Sequence, residues 1–254
     1  VSGGADDGWI AEAGAAADAA LDPEVDAVAG DAGAEDATVE ADAWVPRGDR
    51  PRLAFPVHPE DRARMSETLM FGFDHGPGQD RTVCTAYDGE GFPACYGGHE
   101  GSDFILQGGF RQMDAGSARV VAAAGGEVVH VEDGHYDRCR VDLATQGVTC
   151  DGHEMRANQV TIRHPSGWQT RYLHLMNGSV VVREGMLVEC ERVLGLVGSS
   201  GFSTMPHLHL EVLDPQGRSV DPFEVDPALG LWRVQDAGDV RPANGCDPAW
   251  GPAE

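Results

Sequence analysis

The sequence predicts an antiparallel all-β domain in the second half of the chain, and three observations carry that prediction. From about Gly98 onward, short apolar segments alternate with Gly and Asp turns at close spacing. Turn sequences join or follow them, as at Pro165-Ser166-Gly167 and Asp214-Pro215-Gln216-Gly217. No long helical period interrupts this half.

The expected strands are, in order, Arg119–Ala122, Gly126–Glu132, Gln159–His164, Gln169–Leu175, Val193–Val197 and His207–Leu213. Each alternates side chains across two faces or runs apolar between turn residues. Between Val131 and Gln159 lies an insertion carrying Cys139 and Cys150, expected as a stapled hairpin extension that either shapes substrate access or is a passive loop. Upstream, residues 45–94 are rich in Pro, Gly and Arg with few apolar runs, which predicts an irregular lead-in. Residues 95–225 form the expected domain, and residues 226–254 an extended C-terminal tail that Cys246 pins back.

Residues 1–44 are of a different composition, with 12 acids and no base among mostly Ala, Asp, Glu, Gly and Val. Self-repelling charge with little apolar surface does not offset the entropy of ordering, so a disordered acidic linker or tether is expected. The chain opens at Val1 rather than Met, compatible with removal of a leader. The whole chain of 254 residues carries 42 acids against 18 bases, all Arg, for a net charge of 18 − 42 = −24. That balance excludes nucleic acid as a partner, since nothing would neutralise the phosphates, and argues against docking on anionic lipid. No apolar run is long enough to span a bilayer.

The six cysteines are Cys84, Cys95, Cys139, Cys150, Cys190 and Cys246. Two pairs share one spacing, 95 − 84 = 11 and 150 − 139 = 11, and there is no C-x-x-C. An even count with short-range pairs reads as disulfides in an oxidising compartment, Cys84–Cys95, Cys139–Cys150 and, by elimination, Cys190–Cys246. Buried free thiols are the alternative.

Placement of the ten histidines carries the chemistry. In Pro206-His207-Leu208-His209-Leu210-Glu211-Val212 strand alternation puts His207, His209 and Glu211 on one face and Leu208, Leu210 and Val212 on the other. The same reading of Gln169–Leu175 groups Thr170, Tyr172 and His174 against Arg171, Leu173 and Leu175, with a satisfied core histidine as the alternative for His174. In Gly97-Gly98-His99-Glu100-Gly101-Ser102-Asp103, the histidine and the aspartate can both reach one cation, and the glycines permit unusual backbone dihedrals. Imidazole nitrogen with carboxylate oxygen suits Zn²⁺. His99, Asp103 and one histidine of the H-x-H leave a fourth tetrahedral position for water.

Taken together, H-x-x-x-D (His99, Asp103), Y-x-H-L (Tyr172, His174, Leu175) and P-H-L-H (Pro206 to His209) resemble the lysostaphin/LytM-type zinc metallo-endopeptidases. Flanking pieces resemble them too: Val120 to Val128, Val160 to His164 with Gly167 and Thr170 to Tyr172, Gly195 to Gly201, and Asp221-Pro222. The likeness covers about residues 95–225. It implies a β-sandwich-like metallopeptidase domain of the duplicated hybrid motif type, with one Zn²⁺ on His99, Asp103 and His209. It also implies that His174 and His207 are catalytic rather than ligands. Glu211 either orients an imidazole or is structural. His58, His75, His130, His135, His153 and His164 read as structural or surface residues, with His75 or His153 as those a loop could carry to the groove.

One departure from the family's pattern is Cys190-Glu191 in place of Gly after Val188, which suggests a disulfide instead of a tight turn there. In some relatives an upstream segment occupies the zinc, and Asp61 or the Asp74-His75 pair could do so here. The expected function is zinc-dependent hydrolysis of peptide bonds in bacterial peptidoglycan, at stem-peptide cross-links or bridge peptides, by a secreted or cell-envelope monomer. The rival expectations are a non-catalytic envelope module that regulates cell-wall hydrolases, and a secreted bacteriolytic or Gly-rich-protein protease.

Overall fold

The computed structural model describes residues 50–247, except 79, 88–92, 146, 166, 225, 227 and 236–238. The expected acidic linker, residues 1–44, lies outside the described residues. Among the described residues there are eleven strands: β1 (Met65–Phe71), β2 (Ser102–Leu106), β3 (Arg119–Val121), β4 (Gly126–Glu132), β5 (Arg140–Asp142), β6 (Gly147–Thr149), β7 (Gln159–Arg163), β8 (Gln169–Leu173), β9 (Leu187–Val188), β10 (Val193–Leu196) and β11 (His207–Leu213). One short helix, α1 (Gly109–Asp114), follows β2.

Seven strands make one sheet in the order β1-β2-β11-β8-β7-β4-β9, with every neighbouring pair antiparallel. A two-stranded sheet of β10 and β3 lines the same core from the other side, and β5–β6 is a separate hairpin. Between the two sheets lie Phe104, Val120, Val128, Ile162, Tyr172, Leu194, Leu208 and Leu210, all buried.

Register fixes which side chains face that core. Leu208 pairs with Phe104, Leu210 with Tyr172, and Val212 with Thr170, so all of these point inward. Burying a Leu or Val side chain contributes about 1.5–3 kcal/mol. A one-residue slip of β11 would exchange Leu208, Leu210 and Val212 for His207, His209 and Glu211, losing that contribution and burying charge in the core. The apolar alternation of β11 therefore presents its polar residues on the opposite face.

All six expected strands form, most of them within a residue or two of the expected ends. The lead-in is more ordered than its composition predicts. Leu53, Phe55, Val57, Met65 and Met70 are buried in the core, and β1 adds an edge strand to the sheet. Its central Ser66-Glu67-Thr68 hides it from an alternation reading, because an edge strand with a register shift can leave these side chains in solvent. Near the C-terminus, Leu231, Trp232 and Val240 also enter the core, and Leu53 donates its N–H to the Leu231 carbonyl.

Cys84 is bonded to Cys95, Cys139 to Cys150, and Cys190 to Cys246. At the last of these the tight turn persists. Glu191 holds a left-handed φ of 63° where glycine would sit without strain, and its carboxylate accepts the Gly245 N–H beside Cys246. The disulfide accompanies the turn instead of replacing it.

Candidate metal centre

The polar face of β11 lies beside β2, with His209 directly opposite Asp103 and His207 opposite Ile105. His99 comes from the loop before β2. That loop turns on Gly98, whose φ of 75° is open to glycine, and passes so close to β11 that a Cβ on Gly101 would stand 2.6 Å from His209 Nε2. The glycines of this segment thus serve two ends, one conformational and one a matter of space.

His99 Nε2 lies 3.2 Å from Asp103 Oδ1 and 3.2 Å from His209 Nδ1, and the last two atoms are 2.8 Å apart. All three residues are buried. The outer face of each ring is already committed. His99 Nδ1 donates to the Gly72 carbonyl at 2.7 Å, and His209 Nε2 faces Glu211 Oε1 at 3.2 Å. Those outer bonds turn His99 Nε2 and His209 Nδ1 inward as lone pairs, toward a carboxylate oxygen that can only accept. Three acceptors at these separations need a cation between them. Donors held at zinc's usual bond lengths would lie about 3.3 Å apart at the corners of a tetrahedron, so the set fits a small divalent metal.

The electrostatics point the same way. Burial opposes charge on His209, but its bonds to the Asp103 and Glu211 carboxylates outweigh that and push its pKa up to about 10. Burial also opposes ionisation of Asp103, yet the surrounding His99, His207 and His209 hold its carboxyl well below the usual range. Glu211 Oε2 is in turn held by Arg171 Nη1 at 2.7 Å.

His174 arrives by a route that alternation does not predict. Tyr172 points into the core, where its hydroxyl accepts the Ala123 N–H at 2.8 Å. Strict alternation would send His174 after it. Instead β8 ends at Leu173 and His174 takes a left-handed φ of 63°, which turns its ring onto the site face. The expected grouping of His174 with Thr170 and Tyr172 is corrected accordingly. A left-handed non-glycine residue costs about 1–2 kcal/mol, borne here at a position where the ring meets His207 at 4.6 Å and His209 at 5.6 Å between centroids. Burial, with His207 and His209 adding to it, holds the His174 pKa well below its ordinary value, so the ring is neutral.

His207 and His174 share one mode of support. His174 Nδ1 donates to the Ser200 carbonyl at 2.6 Å and His207 Nδ1 to the Met205 carbonyl at 2.7 Å. Both Nε2 atoms are thereby left for the site, and His207 Nε2 stands 3.4 Å from Asp103 Oδ1. The loop that supplies the two carbonyls is tied to the insertion, since Ser199 Oγ donates to the Cys139 carbonyl at 2.7 Å and meets Ser203 Oγ at 2.8 Å.

Residues 98–222 match the model of "Peptidase family M23". Residues 98–222 are a peptidase family M23 domain. The chain is similar to the peptidoglycan DD-endopeptidases ShyB and ShyA of Vibrio cholerae, with 40% and 36% identity over 74 residues. Each match takes in 29% of this chain, against 17% of ShyB and 16% of ShyA. It is also similar to protease LasA of Pseudomonas aeruginosa, 34% identical over 82 residues, with 27% of this chain and 19% of LasA covered. The matched stretch is thus less than a fifth of each relative's length.

Other parts of the M23 domain and its surroundings are engaged elsewhere. Asp61 pairs with Arg119. Asp74 accepts the N–H groups of Gly76, Val83 and Gly98. His75 bonds Asp221 at 2.9 Å, and His153 stacks on Tyr136. Two residues without a sequence signal do touch the site or its support. Tyr96 stacks on His99, with its hydroxyl 3.2 Å from Asp103 Oδ2, and Asn158 is bonded to the backbone on either side of it. A tyrosine three residues before a histidine, or a lone asparagine before a strand, carries no periodicity or spacing to single it out.

Among the described residues no helix is long and apolar enough to cross a membrane.

Proposed function

We propose that this chain is a zinc-dependent endopeptidase that hydrolyses peptide bonds in bacterial peptidoglycan, at stem-peptide cross-links or bridge peptides. The observation that carries this reading is the convergence of three buried acceptors, His99 Nε2, Asp103 Oδ1 and His209 Nδ1, beside two further imidazoles whose Nε2 atoms are left for the site. Two nitrogens and one carboxylate oxygen are a donor set that suits zinc and leaves a position for a small ligand. When bound, zinc supplies a Lewis acid that activates water and polarises the scissile carbonyl.

The chain's own groups do the rest. His99, Asp103 and His209 hold the metal, and Glu211, itself held by Arg171, orients the His209 ring. His174, kept neutral, takes a proton at Nε2. His207 presents Nε2 from the neighbouring position on β11; as the imidazolium, with Nδ1–H still on the Met205 carbonyl, it donates Nε2–H to the developing oxyanion or the leaving amine. The peptidoglycan substrate rests on the names of the similar Vibrio endopeptidases. Placement outside the cytoplasm, secreted or in the cell envelope, is supported by three disulfides and no free cysteine among the described residues.

Purified peptidoglycan and a Gly-rich protein, each incubated with the chain, test the reading. New amino termini should appear in peptidoglycan peptides, disappear with a chelator and return with zinc. Cleavage of the protein alone would replace the substrate, and chelator-insensitive cleavage would remove the metal.

A further inference from the structure

The left-handed turn that brings His174 into the site is held by a residue outside the site. Asn158, fully buried at the start of β7, has every polar atom of its side chain bonded. Its Oδ1 accepts the His135 N–H at 2.8 Å, while Nδ2 donates to the His135 carbonyl at 3.1 Å and to the Leu175 carbonyl at 3.0 Å. Its backbone carbonyl accepts the Leu175 N–H at 3.0 Å. Both backbone groups of the residue after His174 are therefore bonded to Asn158.

A second arm closes the loop. The Asn158 N–H donates to Ser200 Oγ at 2.9 Å, and Ser200 Oγ donates to the same Leu175 carbonyl at 2.9 Å. The Ser200 backbone carbonyl receives His174 Nδ1. Asn158 thus holds the strained backbone that turns His174 with its side chain and carbonyl, and through its own N–H it holds Ser200, whose backbone carbonyl selects the tautomer.

We propose that Asn158 is a positioning residue for His174, acting through the Leu175 backbone and Ser200 to hold the imidazole with Nδ1 protonated and Nε2 directed at the metal site. Its contribution to catalysis rests on the endopeptidase reading above. Its effect on the ring does not. Sub-ångström placement of a proton-transfer group governs rate strongly, whereas substrate and metal contacts made by other residues do not pass through Asn158.

The test uses the full, zinc-loaded chain with ¹⁵N-labelled histidine, as wild type and Asn158→Ala. In the wild type, His174 should show one tautomer, protonated at Nδ1. In Asn158→Ala its two nitrogen shifts should move toward averaged values, while zinc content stays as in the wild type. On peptidoglycan peptides, kcat should fall about 10- to 100-fold with KM unchanged. A variant that melts lower but keeps the wild-type His174 shifts and kcat would overturn the proposal, since that is what a purely structural asparagine does. Should Asn158→Ala fail to fold, Ser200→Ala removes one arm of the same clamp and leaves the carbonyl that binds Nδ1. The same shift averaging is expected, and unchanged shifts would overturn the proposal. A wild type with no endopeptidase activity sinks the functional reading alone, because the His174 shifts still decide this one.

Discussion

His164 should make this protein lose stability in mild acid, and the size of the loss follows from its surroundings. The ring is fully buried at the end of β7, far along the strand from the metal site. Nδ1 donates to the Gly125 carbonyl at 2.8 Å, and Nε2 lies 3.0 Å from Thr170 Oγ1, which is 2.9 Å from the Tyr172 hydroxyl. The chain of bonds ends at the Ala123 N–H. Burial drives the His164 pKa down from 6.5 to about 4, with the Gly125 bond only partly offsetting it. Between those values the unfolded chain carries a proton that the folded chain refuses. Stability from this group is therefore complete above pH 6.5 and is lost as pH falls toward 4. At about 1.36 kcal/mol per pKa unit, the loss is about 3 kcal/mol. Denaturant unfolding of wild type and His164→Gln across pH 4–7 isolates it, because the other titrating groups are common to both. The variant is less stable at pH 7, and its curve should be flatter by about 3 kcal/mol over the window. Parallel curves would show that His164 is not the source of the loss.

Other perturbations bear on the site itself. Gly101→Ala sets a methyl 2.6 Å from His209 Nε2 and 2.8 Å from the Leu210 carbonyl, so it should cost about 1–3 kcal/mol in melting experiments and lower the bound metal. Glu211→Gln keeps the shape but weakens the acceptor that orients His209, and competition with a chelator should show zinc affinity down roughly 10- to 100-fold. Replacing Cys139 and Cys150 by Ser opens an 11-residue loop closure, worth about 3 kcal/mol by chain entropy, and loosens the Ser199–Cys139 tie. Denaturation with and without the bond measures it, and an unchanged midpoint would count against the tie.

What could be read from the sequence differs between elements for physical reasons. β11 is legible because its apolar and polar residues alternate strictly, and packing on one face enforces that alternation. β2 is not, because both of its faces are covered, one by the core and one by the site, so Asp103 reads as a break in an apolar run. The H-x-H and H-x-x-x-D spacings point to the residues that the fold brings within 3.2 Å of one another. His174 is legible as a motif residue but not in its orientation, since a single left-handed dihedral reverses the face and leaves no mark in the composition. Asn158, Ser200 and Tyr96 act through contacts made across 42 residues, in the case of Asn158 and Ser200, or through stacking on a neighbour. Contacts of that kind exist only once the sheet has formed. The C-terminal Leu231 and Trp232 enter the core without any strand period, anchored by backbone bonds to the lead-in.

His99, Asp103 and His209 are proposed to hold a zinc ion with which the chain cuts peptidoglycan peptides. The most direct measurement pairs zinc content with release of soluble peptide from purified peptidoglycan, for wild type and His209→Ala. One zinc per chain is expected in the wild type, with loss of both zinc and release in the variant. A wild type without zinc, or a His209→Ala variant that releases peptide as well as the wild type, would contradict that proposal.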